Sequence, residues 1–208
     1  MLSRKGLNMS DEFKISLAQL NATVGDLSGN TQKVMEAWEI ARDQRSDLIA
    51  FPELFITGYN PQDLILKTAF QKAATSSIDQ IAKVCAQGPA IAIGGPFYDE
   101  NKLYNSYYIL ADGKIQSVIK KHHLPNEEVF DEVRLFSSGN VDGPFQIGKM
   151  RIGSPICEDA WHTDIVETLA ETGAQTLLVP NGSPYYRGKT EIRQNVMVSR
   201  VIESGLPL

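Results

Sequence analysis

Three side chains with reactive or charged groups stand where strand-like stretches of the sequence end. Glu53 follows the apolar run Leu48–Phe51, with one proline between them. Lys121 comes after a second predicted strand, and Cys157 lies at the end of a third, just before a predicted helix. Because α/β folds place their functional sites at strand ends, we expect these three side chains to meet in one site.

A thiol, a carboxylate and an ammonium group can together cleave an amide. A free thiol has a pKa of about 8.5, so only a few per cent is thiolate at neutral pH. A neighbouring carboxylate can accept the thiol proton and later donate it to the leaving amine. An ammonium group and the backbone N–H groups after Cys157 can stabilise the oxyanion of a tetrahedral intermediate. The pattern therefore predicts a Glu–Lys–Cys site for nucleophilic catalysis.

Each of these residues also has an ordinary structural explanation. A lone cysteine is usually a small buried hydrophobic residue, which is what we expect of Cys85 inside the apolar face of a predicted helix. Glu53 alone could cap a helix, and Lys121 alone could be a surface charge. A Cys–His dyad is a further alternative, but His122 and His123 alternate in direction with Lys121, so at most one shares its face. We therefore favour the Glu–Lys–Cys triad.

Composition and charge exclude several classes of protein. The chain has 208 residues with 22% charged residues, 16 glycines and 10 prolines, which predicts a folded domain with a hydrophobic core. The net charge of −5 comes without a basic stripe, so we expect no nucleic-acid partner. No apolar window is long enough for a membrane helix, and the N-terminus lacks the apolar region of a secretory signal.

The cysteine and histidine content bears on compartment and metals. Two cysteines cannot define a disulfide scaffold, which indicates a reducing cytoplasm. Three histidines, two of them adjacent, show no metal-ligand spacing, so the sequence predicts no metal site.

The elements that must position the site alternate between strands and helices. Hairpins are predicted around Asp112-Gly113 and Gly148-Lys149, and Gly94-Gly95-Pro96 is expected to end a buried strand. Asn30 is expected to cap the first helix, in which the apolar residues Val34, Trp38 and Ala41 recur at helical spacing. This alternation predicts a mixed sheet covered by helices in an α/β layered domain. Gly205–Leu208 has the character of a further strand, so we expect the domain to continue beyond residue 208. The predicted strands are 13–17, 48–51, 90–93, 104–110, 115–119, 145–147, 150–156 and 176–179, and the later helices are 71–87, 162–172 and 190–203.

Five segments, in order, resemble the nitrilase (carbon–nitrogen hydrolase) superfamily, and within it the glutaminase domains of glutamine-dependent NAD⁺ synthetases. They are AQLNATVGDLSGN (18–30), FPELFITGYNPQDL (51–64), KKHHLPNEEVFDEVRLF (120–136), ICEDAW (156–161) and PNGSPYYRGK (180–189). The resemblance implies an α/β, nitrilase-type four-layer α-β-β-α sandwich, incomplete at the C-terminus. It further implies an N-terminal extension at 1–12 and a carbon–nitrogen hydrolase domain at 13–208.

The resemblance also implies a role for each motif residue. Cys157 would attack the side-chain amide of glutamine, Glu53 would act as general base and then acid, and Lys121 would stabilise the oxyanion. Glu132 matches an additional glutamate that many superfamily members place beside the triad.

A second set of residues would bind the amino-acid part of glutamine. Glu158 resembles the acid that binds the α-amino group, and Ser183 and Lys189 resemble the residues that hold the rest, with Arg187 nearby. Free glutamine is a zwitterion, so its recognition calls for one acidic and one basic side chain. Glu127 stands where the family usually has an aromatic residue and is expected near the substrate.

The implied reaction extends beyond this chain. Ammonia would pass to an ATP-dependent synthetase domain that amidates nicotinic acid adenine dinucleotide to NAD⁺ and that uses ATP and Mg²⁺. The glutaminase reaction itself would need no cofactor. These 208 residues contain no Ser-Gly-Gly-type ATP loop, so we expect the synthetase domain to be absent from them. The superfamily assembles through its helices, which implies a homo-oligomer.

Two alternative functions remain open at this point. One is a stand-alone nitrilase-type amidase that acts on another small amide. The other is a non-catalytic scaffold that uses the same fold only for assembly.

Overall fold

A computed structural model describes residues 12–127 and 129–208, and nearly all of the predicted N-terminal extension lies outside these ranges. The described chain alternates between strands and helices as predicted. The strands are β1 (Ile15–Leu17), β2 (Leu48–Ala50), β3 (Ala90–Asp99), β4 (Lys102–Ala111), β5 (Lys114–Lys120), β6 (Phe145–Ile147), β7 (Met150–Gly153) and β8 (Thr176–Leu177). The helices are α1 (Leu27–Asp43), α2 (Thr68–Val84), α3 (Glu132–Leu135), α4 (Thr163–Glu171) and α5 (Lys189–Ser204), and short 3₁₀ helices span Gln62–Leu66 and Cys157–Trp161.

The strands form two sheets of mixed direction. The larger sheet has the order β1-β2-β3-β4-β5, with β1, β2 and β3 parallel and with antiparallel pairing from β3 to β5. In the smaller sheet β7 lies between β6, with which it is antiparallel, and β8, with which it is parallel. The predicted hairpins β4–β5 and β6–β7 are confirmed.

Alternating residues of β2 show how the layers are built. Leu48 and Ala50 face the smaller sheet, while Ile49 packs on the opposite side against α1 and α2. The apolar residues of α4 pack in turn on β8 of the smaller sheet, and α5 contacts α4. Burial of each such side chain stabilises the fold by about 1.5–3 kcal/mol. The result is the predicted four-layer α-β-β-α arrangement.

The first helix begins earlier than predicted. Its cap is Asp26, whose carboxylate accepts a hydrogen bond from the N–H of Gly29 at 2.9 Å. Asn30 is fully buried inside the helix, where its side chain bonds the backbone of Thr23 and the carbonyl of Ile56. The assignment of Asn30 as the cap was therefore wrong, because its amide serves a contact with the loop after β2.

The third strand does not stop at Gly94-Gly95-Pro96 but continues to Asp99, so that prediction was also wrong. Gly94 permits the close approach of the turn that carries Glu53, since a Cβ there would lie 2.1 Å from the backbone nitrogen of Leu54. Register pairing of β3 with β2 ends at Ala92. Pro96, which lacks an N–H, therefore lies where β3 pairs only with β4.

The last residues of the chain lie beside β8. The carbonyl of Pro207 accepts hydrogen bonds from the N–H of Leu177 at 2.8 Å and from the hydroxyl of Thr176 at 3.0 Å. This position is consistent with the strand-like character predicted for Gly205–Leu208.

In the part of the chain that the structure describes, no helix combines the length and the apolar character needed to cross a bilayer.

Replacing Gly94 by alanine should destabilise the protein by about 1–3 kcal/mol, because the new Cβ overlaps the backbone of the Glu53 turn. The matched control is Gly143→Ala, whose Cβ would meet nothing closer than 4.0 Å and whose φ is not positive. Urea unfolding of both variants measures the difference in the free energy of unfolding. Equal stability of the two variants would contradict the packing constraint.

Candidate active site

The structure brings Glu53, Lys121, Glu132 and Cys157 together in the interior, where each is at most 3% exposed. Glu53 lies in the turn after β2, and Lys121 directly follows β5. Cys157 begins the 3₁₀ helix after β7, and Glu132 begins α3. Strand ends of both sheets therefore supply the site, as the sequence predicted.

Lys121 bridges the two carboxylates. Its ammonium nitrogen Nζ donates to Oε1 of Glu53 at 2.7 Å and to Oε2 of Glu132 at 2.8 Å. Burial alone would lower the pKa of this lysine, but the two carboxylates outweigh it and hold the pKa above its ordinary value. Lys121 is therefore charged, and these two contacts use two of its three N–H donors.

Glu53 is held by groups from several parts of the fold. Besides Lys121, the side-chain amide of Asn105 on β4 donates to Oε1 at 2.8 Å, and the N–H of Gly182 donates to Oε2 at 2.7 Å. A Cβ at position 182 would lie 3.0 Å from Oε2 and even closer to the ring of Tyr59, which explains the glycine. These contacts fix the orientation of the carboxylate beside the thiol.

The Cys157 backbone is in a left-handed conformation, with a φ of 48°. A residue other than glycine pays about 1–2 kcal/mol for this conformation, and the hydrogen bond from its N–H to the carbonyl of Pro180 helps to maintain it. Burial, followed by the negative charge of Glu53, raises the pKa of the thiol well above its ordinary value, and Lys121 opposes that rise only in part. The raised pKa keeps the resting thiol protonated at neutral pH, and the Glu53 carboxylate lies near enough to be its proton acceptor.

Glu132 is held from both sides. The phenol of Tyr59 donates to its Oε1 at 3.0 Å, and Lys121 donates to its Oε2. Burial raises the pKa of Glu132, with a further rise from Glu53, while Lys121 lowers it. Burial and the nearby carboxylates also raise the pKa of Tyr59, so its phenol remains a hydrogen-bond donor.

Asp159 is a positioning residue that the sequence analysis missed. It is 3% exposed, and its carboxylate accepts hydrogen bonds from the N–H groups of Ile156, His122 and His123 at 2.7–3.1 Å. It therefore ties the segment after Lys121 to the turn that carries Cys157. Asn105 was missed as well. The sequence feature that could have indicated it is a polar residue within the largely apolar segment that forms β4, where Asn105 is itself buried.

The residues predicted to bind the amino-acid part of the substrate line a cavity of about 560 Å³ together with Cys157. Lys189 is buried, and its ammonium lies over the rings of Phe130 and Tyr186, at 5.7 and 4.9 Å from their centroids. Arg187 is exposed and does not line the cavity. The predicted residues that line it are Glu127, Glu158, Ser183 and Lys189.

Neither histidine next to Lys121 takes the role of base in the described geometry. The Nδ1 atom of His122 lies 2.7 Å from the carbonyl of Gly139, and the Nε2 atom of His123 lies 3.0 Å from the carboxylate of Asp164. Glu53, by contrast, lies close enough to Cys157 for its negative charge to raise the pKa of the thiol. The structure therefore favours the Glu–Lys–Cys arrangement over the Cys–His dyad.

Alkylation of Cys157 by iodoacetamide, followed by mass spectrometry, should show a profile shifted to higher pH than that of a free thiol. A raised pKa means less thiolate at a given pH, so the rate should still be rising above about pH 8.5. Glu53→Gln should move the profile to lower pH, because it removes a negative charge that raises the thiol pKa. Cys85 is the internal control and should stay unmodified, because it is buried in the core and does not line the cavity that reaches Cys157. A profile centred below pH 8.5 in the native protein would contradict this assignment.

The chain is similar in sequence and in structure to known proteins. The chain is 50% identical over 200 residues to a glutamine-dependent NAD(+) synthetase of Rhodobacter capsulatus, and the match covers 96% of this chain and 36% of that protein. The structure of glutamine-dependent NAD+ synthetase from Acinetobacter baumannii superimposes with a TM-score of 0.88 at 35% identity, over 93% of this chain and 37% of that chain. This chain thus spans about a third of the length of these relatives.

A crystal structure of an amidase from Nesterenkonia sp. superimposes with a TM-score of 0.79 at 24% identity, over 93% of this chain and 73% of that chain, and this likeness concerns the fold alone. The family described as carbon-nitrogen hydrolase matches residues 14–208, which include the whole of the site described above. The chain therefore belongs to the carbon–nitrogen hydrolase family.

Proposed function

We propose that this chain is the glutaminase part of a glutamine-dependent NAD⁺ synthetase and releases ammonia from glutamine through a Cys157 thioester. The observation that carries the proposal is the buried Lys121 ammonium, bonded to both Glu53 and Glu132 beside a protonated thiol. The names of the relatives in Rhodobacter capsulatus and Acinetobacter baumannii support the choice of glutamine.

In the proposed first half-reaction, Glu53 takes the thiol proton as the sulfur of Cys157 attacks the amide carbon of glutamine. The carbonyl π electrons move to oxygen, and Lys121 stabilises the resulting oxyanion through its remaining N–H donor. When the C–N bond breaks, Glu53 returns the proton to nitrogen and ammonia departs. A thioester between Cys157 and the glutamyl group remains.

In the second half-reaction, Glu53 takes a proton from water as the water oxygen attacks the thioester carbon. Collapse of the second tetrahedral intermediate breaks the C–S bond, and the proton held by Glu53 passes to sulfur. Glutamate leaves and the thiol is restored. Glu132 remains a positioning residue, because it holds Lys121 and itself receives the Tyr59 hydrogen bond.

Charge complementarity supports glutamine rather than a simple amide. The cavity presents the acid Glu158 and the base Lys189, which suit the α-amino and α-carboxylate groups of an amino acid. Ser183 would add a hydrogen bond. Glu127, which lines the same cavity, would lie near the substrate where the family usually has an aromatic residue.

The released ammonia would serve a synthetase domain outside this chain. That domain would use ATP and Mg²⁺ to amidate nicotinic acid adenine dinucleotide, whereas the chemistry of residues 13–208 would need no cofactor. A free Cys157 thiol suits a reducing cytoplasm, and assembly into a homo-oligomer through the covering helices completes the proposal.

Cys157→Ala should abolish ammonia release from glutamine, because no other group in the proposed mechanism can form the thioester. In the full-length enzyme the same variant should still make NAD⁺ from added ammonium. A coupled assay with glutamine or ammonium as nitrogen source measures both activities. Loss of both would contradict this division of labour. Failure of a diazo-ketone glutamine analogue to label Cys157 would instead favour a non-catalytic scaffold.

Lys189→Met should lower kcat/KM for glutamine by about 10²-fold or more, because the substrate carboxylate would lose a buried ionic partner. Activity on butyramide, which has no α-carboxylate, should change little. The control is Lys149→Met in the exposed β6–β7 turn, which removes the same charge far from the cavity. A native enzyme that prefers butyramide to glutamine would identify a different amidase.

A further inference from the structure

All three histidines of the sequence meet beside the substrate cavity, although the proposed mechanism uses none of them. The rings of His122 and His123 are nearly perpendicular, with centroids 4.7 Å apart. The ring of His162 stacks on His123 at 3.9 Å. His123 and His162 also line the cavity that contains Cys157.

His122, His123 and Asp164 together present a set of metal-ligating atoms. One ligand atom from each lies within 4.8 Å of the other two, and Nε2 of His123 is 3.0 Å from Oδ2 of Asp164. Around a tetrahedral ion with bonds of about 2.0–2.1 Å, neighbouring ligand atoms lie about 3.3 Å apart. Side-chain rotations must therefore bring these atoms closer together to close the set around an ion.

The hydrogen bond of His122 orients its ring for this purpose. Its Nδ1 lies 2.7 Å from the carbonyl of Gly139, and a carbonyl can only accept, so Nδ1 carries the proton. The lone pair is consequently on Nε2. Metal-binding histidines typically donate their second ring N–H to a carbonyl or carboxylate in this way, which fixes both tautomer and orientation.

The backbone of the two adjacent histidines is fixed as well. Their N–H groups donate to the buried carboxylate of Asp159 at 3.1 and 2.7 Å. The His162 ring covers one face of the His123 ring. Asp164 lies in the first turn of α4 and keeps its carboxylate against His123. These contacts hold the ligand groups in place, and a bound ion would displace the proton through which Nε2 of His123 bonds Asp164.

We propose that His122, His123 and Asp164 form a site for a divalent transition-metal ion of the Zn²⁺ class. Two imidazole nitrogens and one carboxylate oxygen suit such an ion, and they leave a fourth tetrahedral position for water. Because His123 also lines the substrate cavity, an ion bound there restricts the entry of glutamine. The inhibition rests on the proposed glutaminase function, but the binding does not.

Binding is tested in the full-length protein with Cys157→Ser, which removes the competing active-site thiol. Zn²⁺ titrated by calorimetry should bind in this background. Co²⁺ should give the visible absorption of a tetrahedral site without a thiolate charge-transfer band. His122→Gln and Asp164→Asn, each added separately, should weaken Zn²⁺ affinity at least about tenfold.

The matched control for charge is Glu167→Gln, which removes a carboxylate from an exposed position of the same helix outside the ligand set. The Zn²⁺ affinity of Glu167→Gln should stay within about twofold of that of the Cys157→Ser protein, because an exposed charge outside the ligand set interacts only weakly with the ion. Circular dichroism and thermal unfolding verify that every variant is folded. Absence of Zn²⁺ binding, or equal affinity in His122→Gln, Asp164→Asn and the control, would overturn the proposal.

The effect on activity is measured with Cys157 intact. Zn²⁺ should inhibit ammonia release from glutamine reversibly, with recovery on adding a chelator. His122→Gln should retain the basal rate and require at least about tenfold more Zn²⁺ for the same inhibition. If Zn²⁺ inhibits His122→Gln as strongly as the native enzyme, the ion acts at the Cys157 thiol. That result would contradict inhibition through the proposed metal site. If no glutaminase activity is found but the ion binds as described, the proposed function fails and the metal site stands.

Discussion

The site depends on one buried cation held between two buried anions. Lys121 is fully buried, and its ammonium contacts carboxylates from the turn after β2 and from the start of α3. A charge taken out of water is tolerated only when it is paired, and removing one partner of a buried pair typically costs about 3–5 kcal/mol. The pairing therefore holds three separate parts of the chain in one arrangement. It also keeps a positive charge beside a thiol whose environment otherwise disfavours ionisation.

The packing around that cation leaves little freedom. The N–H of Lys121 bonds the carbonyl of Asn105, and its own carbonyl accepts from the N–H of Gly139. A Cβ on Gly139 would lie 2.3 Å from the side chain of Lys120, so the backbone approach needs a glycine there. Gly94 and Gly182 make the corresponding approaches to the Glu53 turn and its carboxylate. Three glycines thus let backbone segments come close enough to hold the charged residues in place.

The strands and helices follow from local pattern, and the errors fall where tertiary contacts overrule it. Helical spacing of Val34, Trp38 and Ala41 predicted the buried face of α1. Local pattern also placed Asn30 at the helix cap. That prediction was wrong because Asn30 is buried against Ile56, a residue 26 positions away in the sequence. Glycine and proline in β3 predicted a strand end, whereas the close approach of the Glu53 turn requires Gly94 inside the strand. α3 and the 3₁₀ helix at Cys157 are too short to leave a periodic signal.

For the candidate site, the sequence by itself determined the residue types, their order and their place at strand ends. Those features, together with the resemblance of five segments, were enough to predict that Glu53, Lys121 and Cys157 meet. Only the tertiary structure decided that Lys121 is shared with Glu132 and that Asn105, Asp159 and Gly182 hold the arrangement. It also decided that His123 and Asp164, 41 positions apart, come into contact. The physical reason is that charge pairing and burial depend on which distant segments pack together. Local periodicity records only which face of each segment is apolar.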